Sequence, residues 1–385
     1  MTVDTREKTT AIEKPPERGG QIVPAGNQGL AIRSSALIAR GLRDLARDSN
    51  WLIKKVFAGR SPHLAISATG QACAISPPVR HAAQRVALYD IELSVPTMAL
   101  TAPNQLPVSA TDWPASFAWS PSSRYLVAAW GAWQPSLHFF DLHGKMFLGT
   151  SVAFARFPTR LGWSDTGKYM IASSSGGKGA SLQLWRTLAA DAQPEPTPLR
   201  EIGMPDWLEE QAAGEEFADE GKFWGYGRAV FSPDERTLGA VVETKGDWAD
   251  DSIVLLDVPS LARRHVFTAQ GHVTDLTWTP DGRQIVYCAA GQSYHLTEDT
   301  TDFEPLPFGA ELCACHPHFP LCVCFSSWLK NSAKGRLFLV DLNRQTPFDE
   351  YAAEGVADLR WSLDGSKAYA ITHDGLAYIY EPTQL

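Results

Sequence analysis

The sequence predicts an all-β protein: a seven-bladed β-propeller with an N-terminal disordered tail and one amphipathic helix. Three observations indicate this fold. A hairpin motif recurs seven times, and an apolar strand that usually ends in an acid follows each copy. The ends of those strands are 51, 45, 71, 39, 45 and 40 residues apart. A repeat of about 40–45 residues that holds four strands is typical of a propeller blade.

Length and composition agree with a folded repeat array. The chain has 385 residues, of which 44% are hydrophobic and 20% are charged, which suits a large core. No apolar run reaches the roughly 18–20 residues that span a bilayer. The first 20 residues are polar and lack the apolar centre of a secretory signal. We therefore expect a cytoplasmic protein with reduced cysteines and no membrane partner.

The hairpin motif contains an apolar residue, an aromatic residue, Ser or Thr, a turn with Asp or Gly, and a second apolar run. Pro-Asp-Gly and Asp-Gly favour tight turns, while β-branched and aromatic residues favour the flanking strands. Five clear copies and two degenerate ones begin at Phe117, Leu161, Ala229, Leu276, Leu359, Leu64 and Cys313. Each copy predicts the first two strands of a blade.

The strand after each hairpin predicts the third strand of the blade. Its acidic ends are Asp90, Asp141, Asp257, Asp341 and Glu381. Two repeats depart from this pattern, because Arg186 replaces the acid in one and the segment near Leu296 has no acid in the other.

These hairpins and strand ends resemble the WD40-like β-propeller family, including its degenerate bacterial-type members, over roughly residues 51–385. The resemblance implies seven blades around a central channel. Only Gly271-His272 matches the Gly-His dipeptide of the stricter subtype, and no strand ends in Trp-Asp. The buried His–Asp–Ser–Trp hydrogen-bond network that the stricter subtype implies is therefore mostly absent.

Ring closure is predicted to use the N-terminal end of the repeat region. The last repeat, from Val356 to Glu381, has only three strands before the chain stops. An open sheet edge is costly, and a strand from the other end of the array can pair with it. We expect residues 51–57 (WLIKKVF) to be that closing strand of the last blade.

The segment before the ring divides into two predicted parts. Residues 1–33 read as a disordered, extended tail. Residues 34–50 predict an amphipathic helix, in which apolar residues share one face and Arg40, Arg43 and Arg47 share the other. This helix is expected to rest on the propeller with a solvated arginine face. A partner-binding helix and a membrane-surface helix are the alternatives.

Residues 188–222 form an acidic insertion, which is also expected to contain the outer strand of the third blade. Trp207 stands in it beside acids that include Glu209, Glu210, Glu215 and Glu216. A solubilising loop is one interpretation, since charge runs are usually just solvated. A docking element for a basic partner is the other, because insertions longer than about 12–15 residues are usually functional.

Several loops between the second and third strands of a blade carry tryptophan. These tryptophans are Trp130, Trp133, Trp248 and Trp328. In a propeller such loops share one rim with the connections between blades, and hence with the acidic insertion. Tryptophan beside charged groups is common in interaction hot spots. The alternative is that each indole covers its own blade.

The four cysteines of one hairpin raise the question of a metal. Cys313, Cys315, Cys322 and Cys324 flank a turn that holds His316 and His318. Folded about that turn, Cys315 faces Cys322 and Cys313 faces Cys324. The C-x-C spacing differs from the C-x2-C of a zinc knuckle. We expect these thiols to be core residues, with a zinc site and disulfides as alternatives.

Function is predicted by exclusion and by charge. Residues 1–60 carry a net charge of +5 and the remainder −14, which together give −9. An acidic body does not suit nucleic acid. No catalytic or cofactor motif is evident in the sequence. We predict a non-enzymatic protein–protein interaction scaffold or accessory subunit of a larger complex, without a cofactor. The alternative is a propeller hydrolase or lyase with a metal or polar site in the central channel.

Overall fold

The computed structural model describes most of the repeat region. The described residues are 51–58, 61, 63–76, 85–101, 116–130, 135–151, 156, 158–177, 179–187, 195, 197–205, 223–245, 250–297, 303–327 and 335–382. The predicted tail (1–33), the predicted helix (34–50) and most of the acidic insertion lie outside this set. The described residues hold 28 strands, and no helix among them could cross a membrane.

The strands form seven antiparallel sheets of four, which are the seven predicted blades. Blade 1 contains β2 (Leu64–Ile66), β3 (Ala72–Ile75), β4 (Arg85–Asp90) and β5 (Val95–Thr101). Blade 2 contains β6 (Ser116–Trp119), β7 (Tyr125–Trp130), β8 (Ser136–Asp141) and β9 (Met146–Ser151). Blade 3 contains β10 (Pro158–Trp163), β11 (Tyr169–Ser174), β12 (Leu182–Arg186) and β13 (Arg200–Ile202). Each blade is a simple meander from its inner to its outer strand.

The remaining blades repeat this order, except that the last one combines both ends of the ring. Blade 4 contains β14 (Phe223–Phe231), β15 (Thr237–Thr244), β16 (Ser252–Asp257) and β17 (Arg263–Thr268). Blade 5 contains β18 (Val273–Trp278), β19 (Gln284–Ala289), β20 (Gln292–Thr297) and β21 (Phe303–Pro305). Blade 6 contains β22 (Leu312–Cys315), β23 (Leu321–Ser326), β24 (Arg336–Asp341) and β25 (Thr346–Ala352). Blade 7 contains β26 (Val356–Trp361), β27 (Ala368–Thr372), β28 (Leu376–Tyr380) and β1 (Trp51–Lys55).

The hairpin motif folds through one recurring hydrogen bond. In six blades the Ser or Thr after the motif aromatic accepts the backbone N–H five residues later, at 3.0–3.1 Å. In blades 4, 5 and 7 that hydroxyl also donates to the turn aspartate, Asp234, Asp281 or Asp364, at 2.6 Å. In blade 6, His316 Nδ1 accepts the N–H groups of His318 and Phe319 instead. Side-chain acceptors thus satisfy turn amides that a strand cannot pair.

The turn residue four positions after the motif aromatic has a left-handed backbone in six blades, with φ of 56–74°. Glycine adopts this conformation without steric cost, which explains its frequency at this position. Gly365 has a second reason to be glycine, since a Cβ there would lie 2.4 Å from the His316 ring of blade 6. Glycine therefore allows neighbouring blades to approach each other closely.

The acid at the end of the third strand caps the turn to the outer strand in blades 1, 2 and 6. Asp141 Oδ1 accepts the N–H groups of His143 and Gly144, both at 3.1 Å. Its Oδ2 pairs with Arg124 Nη2 at 2.8 Å. This pairing lowers the pKa of Asp141 to about 2. The recurring acid is thus explained by local turn chemistry.

Closure joins the two ends of the ring. β1 pairs antiparallel with β28, from Trp51 opposite Tyr380 to Lys55 opposite Leu376. Trp51 is fully buried, and its Nε1 donates to the carbonyl of Asp349 in blade 6 at 3.0 Å. The inner strand β26 also contacts β2, so the inner strands form a closed ring.

Candidate functional site: the central channel and the connection rim

The inner strands of all seven blades surround one cavity of about 780 Å³. This volume falls within the roughly 300–1,000 Å³ of small-molecule sites. Charged residues cluster at the position three residues before the motif aromatic, here called the channel position. Its occupants in blade order are His63, Ser116, Arg160, Arg228, Asp275, Leu312 and Asp358, all of which line the cavity. Six of these seven residues are polar, although the inner strands are otherwise largely apolar.

One ion pair in the channel links blades 4 and 5. Arg228 Nε lies 2.8 Å from Asp275 Oδ1, and the Asp275 side chain is only 2% exposed. The carboxylate also accepts the N–H groups of Leu276 and, from blade 6, Cys313, both at 2.9 Å. Burial raises the pKa of Asp275, and the Arg228 guanidinium offsets part of that rise. Asp275 thus connects three blades.

A second charged pair joins blade 7 to blade 1. Asp358 Oδ2 accepts the N–H of Ile66 at 2.8 Å, and Oδ1 accepts that of Leu359 at 3.0 Å. Arg360 Nη1 donates to the carbonyl of Ile66 at 2.7 Å. Burial lowers the pKa of Arg360, and the charge of Asp358 offsets part of this shift. The positive charge of Arg228 lowers the pKa of Arg360 further. Two guanidinium groups from blades 4 and 7 therefore affect each other inside the channel.

Arg160 of blade 3 is the third arginine that lines the cavity. Its side chain is exposed and, within the described part of the chain, has no hydrogen-bond or ion-pair partner. Its charge acts on His63 of blade 1. The pKa of His63 is lowered first by burial, then by His373 and then by Arg160. Asp165 of the blade 3 turn lines the same space.

The loops between second and third strands meet the blade connections on one rim, here called the connection rim. The N–H groups of Gly176 and Gly177, in the loop of blade 3, donate to the carbonyl of Trp224 at 2.8 and 2.6 Å. In the loop of blade 4, Asp251 accepts the N–H of Val273 at 2.8 Å. These contacts place both kinds of loop on the same side of the ring.

Two large apolar side chains are exposed on the connection rim, on either side of the acid-rich residues 206–222 of the insertion. Met204, just after β13, is 41% exposed, and Trp224, near the start of β14, is 42% exposed. The described backbone thus leaves blade 3 and enters blade 4 with an exposed hydrophobic residue at each end of residues 206–222.

The sequence-predicted partner residues have different outcomes. Trp130 is 1% exposed and packs against His138 at a ring distance of 5.1 Å, so it belongs to the core of blade 2 and not to an exposed surface. The expectation that Trp130 contributes to a docking rim is therefore wrong. The other predicted residues lie outside the described part of the chain: Trp133, Trp207, Trp248, Trp328, Glu209, Glu210, Glu215, Glu216, Arg40, Arg43 and Arg47.

The cysteine hairpin has the predicted register, with Cys313 opposite Cys324 and Cys315 opposite Cys322. Three of these thiols are fully buried beside Phe338 and Val340, and Cys315 is half-buried. All four are free. Burial raises the pKa of Cys324 to about 12. These thiols therefore act as small apolar core residues.

His316 and His318 were the other metal candidates in that hairpin. His316 is buried, and its Nε2 donates to the Gly365 carbonyl at 3.0 Å, while its Nδ1 accepts the N–H groups of its own turn. Across the described ranges, no group of three or more His, Cys, Asp or Glu side chains is arranged to hold a metal ion. Both ring nitrogens of His316 already have structural partners.

The single Gly-His dipeptide forms a local network between blades 4 and 5. His272 Nδ1 lies 3.2 Å from Asp251 Oδ1, and the same carboxylate accepts the N–H of Thr244 at 3.0 Å. Asp251 is 1% exposed. A His–Asp contact of the expected kind thus exists here, where the dipeptide is present.

Sequence reasoning missed the channel arginines. The usable signal was the charged residue three positions before the motif aromatic, seen at Arg160, Arg228, Asp275 and Asp358 when the repeats are aligned. Its meaning becomes clear only once the inner strands are known to converge. Arg360, one position before the aromatic, carried no such repeated signal.

Comparison with known proteins shows the fold. No family model matches the chain, and no curated protein does. Among solved structures, the mitotic checkpoint complex contains a chain with a TM-score of 0.61 and 13% identity, covering 99% of this chain and all of that one. The Cps50 (Swd1) β-propeller domain of Myceliophteria thermophila has a TM-score of 0.59 and 14% identity, covering 86% of this chain and 100% of that one. A Kuenenia stuttgartiensis hydrazine synthase has a TM-score of 0.60 and 14% identity, covering 86% and 97%. The shared fold is that of a seven-bladed, WD40-like β-propeller.

Proposed function

We propose that this propeller is a protein–protein interaction scaffold, or an accessory subunit of a larger complex, that binds a basic partner through its connection rim. The observation that carries the proposal is the pair of exposed hydrophobic side chains, Met204 and Trp224, on either side of the acid-rich residues 206–222. Exposed aromatic and Met side chains next to charged groups are enriched at protein interfaces.

Charge identifies the class of partner. The segment between Met204 and Trp224 contains seven acids, from Asp206 to Glu220, against a single basic residue, Lys222. Acids on a rim draw a basic surface by long-range attraction, and the apolar side chains add short-range affinity. Two of the similar structures, the Swd1 propeller domain and the mitotic checkpoint complex, support a propeller as part of a protein assembly.

A quantitative affinity capture from the native host tests the proposal. We expect at least one basic protein to be retained by the full chain and lost with Trp224→Ser, and to be lost again when Glu209, Glu210, Glu215 and Glu216 are replaced together by Gln. Leu93→Ser is the matched control, because Leu93 is 72% exposed in the turn before β5, away from the connection rim.

The purified partner then allows a kinetic test. Added salt should slow association of the wild type, whereas Trp224→Ser should mainly speed dissociation. The proposal fails if the rim variants and Leu93→Ser retain the same proteins in the same yield. Thermal melting of each variant verifies that a loss of binding is not a loss of fold.

An enzyme with a polar site in the channel remains the second candidate. It rests on the raised pKa of the buried carboxyl of Asp275 within a ligand-sized cavity. Against it, Asp275 is engaged by Arg228 and by two backbone amides. Metal analysis of the purified full chain separates the two: stoichiometric zinc, calcium or manganese would favour the enzyme over the scaffold.

A further inference from the structure

The channel contains more hydrogen-bond donors than acceptors. Each guanidinium group offers five N–H donors. In the described part of the chain, Arg228 uses Nε on Asp275, Arg360 uses Nη1 on the carbonyl of Ile66, and Arg160 has no bonded partner. Most N–H donors of the three arginines therefore have no hydrogen-bond acceptor among the described residues, and all three side chains line one cavity.

The channel carboxylates do not absorb this surplus. Asp275 accepts two backbone N–H groups besides its bond from Arg228. Asp358 likewise accepts two backbone N–H groups, from Ile66 and Leu359. Backbone amides thus hold both carboxylates against the inner strands. From there Asp358 favours the charged form of Arg360 and Arg160 lowers the pKa of Asp275, but among the described residues neither carboxylate accepts a hydrogen bond from Arg160 or Arg360.

The arginines also share one electrostatic environment. Arg228 of blade 4 and Arg360 of blade 7 line the same cavity, and Arg228 disfavours the charged form of Arg360. Like charges at short range in a partly desolvated site repel each other more strongly than they do in water. An anion between them would remove that repulsion.

We propose that the central channel binds a small phosphorylated anion through the guanidinium groups of Arg160, Arg228 and Arg360. The planar fork of arginine donors matches phosphate oxygens in a bidentate manner. A cavity of about 780 Å³ has room for a ligand that carries one or a few phosphate groups. This site is independent of the connection rim, so it stands or falls separately from the scaffold function.

Two further acids bound the site. Asp165 and Glu311 line the same cavity. Glu311 accepts a hydrogen bond from Ser327 Oγ. These acids disfavour a long polyanion that would run along the whole channel, and they confine the anion to the level of the arginines. The chemistry therefore fits a compact ligand such as pyrophosphate and not a nucleic acid strand.

Calorimetric titration of the full chain with pyrophosphate, at constant ionic strength set with chloride, tests the site. We expect saturable binding that weakens by roughly tenfold or more with Arg160→Gln and with Arg360→Gln, as for loss of a charged hydrogen bond. Arg263→Gln is the matched control, because Arg263 is an exposed arginine on the outer strand β17 and should leave binding unchanged.

Arg160→Gln keeps the test valid even if Arg360→Gln destabilises the fold, since Arg160 has no hydrogen-bond or ion-pair partner among the described residues. Inorganic phosphate and citrate are run beside pyrophosphate to separate phosphate from carboxylate recognition. The proposal is overturned by three outcomes: no saturation with pyrophosphate in the millimolar range, equal affinity of the wild type and Arg160→Gln, or citrate binding as tightly as pyrophosphate.

Discussion

The contacts between blades 4 and 5 and those between blades 2 and 3 illustrate two ways to join neighbouring blades. Both interfaces contain a buried apolar cluster that spans the two sheets. Between blades 4 and 5, Trp278 Nε1 also donates to the carbonyl of Val230 at 3.1 Å. Between blades 2 and 3, the equivalent Trp163 Nε1 is buried without an acceptor among the described residues.

The interface of blades 4 and 5 combines several polar contacts. The Trp278 bond has counterparts in Trp119 to Ala65 and Trp361 to Ala314, at 3.2 and 3.1 Å. In each case the motif tryptophan reaches the preceding inner strand. The ion pair of Arg228 with Asp275 adds a charged contact at the same interface.

The interface of blades 2 and 3 depends on shape. Phe139 and Trp185 pack across it with a ring distance of 6.2 Å. The Nε1 atom of Trp185 is, like that of Trp163, buried without a partner in the described ranges. Apolar packing therefore suffices to hold two blades, while polar contacts add energy and set the register where an acceptor is within reach.

The largest effect on stability is expected when the pairing of β1 with β28, which closes the ring, is removed. Deletion of residues 1–57 removes β1 and the buried Trp51, and leaves β28 as an open edge. We expect aggregation or loss of cooperative unfolding, measured by size-exclusion chromatography and thermal melting. Deletion of residues 1–30 is the control and should melt like the full chain. Equal behaviour of the two truncations would show that β1 does not close the ring.

The next largest effect concerns the buried charge at the interface of blades 4 and 5. Arg228→Gln leaves the Asp275 carboxylate without its counter-charge, which should lower the free energy of unfolding by about 2 kcal/mol or more. Arg344→Gln, at a surface pair whose arginine side chain is 82% exposed, should cost under about 0.5 kcal/mol. Urea unfolding measures both. Similar values for the two variants would mean that the channel pair is solvated like a surface pair.

The tryptophan comparison isolates a single hydrogen bond. Trp278→Phe and Trp163→Phe remove the same atoms, but only the first breaks a bond, to the carbonyl of Val230. We expect Trp278→Phe to be more destabilising by about 1 kcal/mol. Urea unfolding of both variants measures the difference. If Trp163→Phe proves equally costly, Trp163 has an acceptor that the described residues do not include.

The smallest expected effect is a pH dependence that distinguishes blade 2 from blade 3. Arg124 first, and then the turn amide of Gly144, lower the pKa of Asp141 from 3.8 to about 2. Since this pKa is lower in the folded state, the stabilisation is fully present above about pH 4 and is lost as the pH falls through about 2. The stability difference between the wild type and Asp141→Asn should therefore be constant from pH 7 to about 4 and shrink towards pH 2. Blade 3 has Arg186 at this position and lacks the effect. A difference that stays constant down to pH 2 would contradict the lowered pKa of Asp141 in the folded state.

Local patterns predicted a large part of the fold because their physics is local. The Ser232–Asp234 turn and its counterparts form hydrogen bonds within a few residues of sequence. The pairing of Cys313 with Cys324 follows from strand alternation about one turn. The prediction that Trp130 lies on the rim was wrong, because Trp130 is the last residue of strand β7 and its indole is buried. The sequence pattern does not locate the end of a strand to within one residue, so it could not distinguish this position from the loop that follows.

The seven hairpins, their turn chemistry and the need for a strand to complete the last blade follow from the sequence alone, since each depends on residues that are neighbours in the chain. Which side chains meet in the channel follows from the packing of the blades. Arg160, Arg228 and Arg360 lie 68 and 132 residues apart in the chain, yet they line one cavity. Their proximity depends on how each blade is rotated against the next. Packing between the sheets sets that rotation, and the residue spacing within a single repeat does not report it.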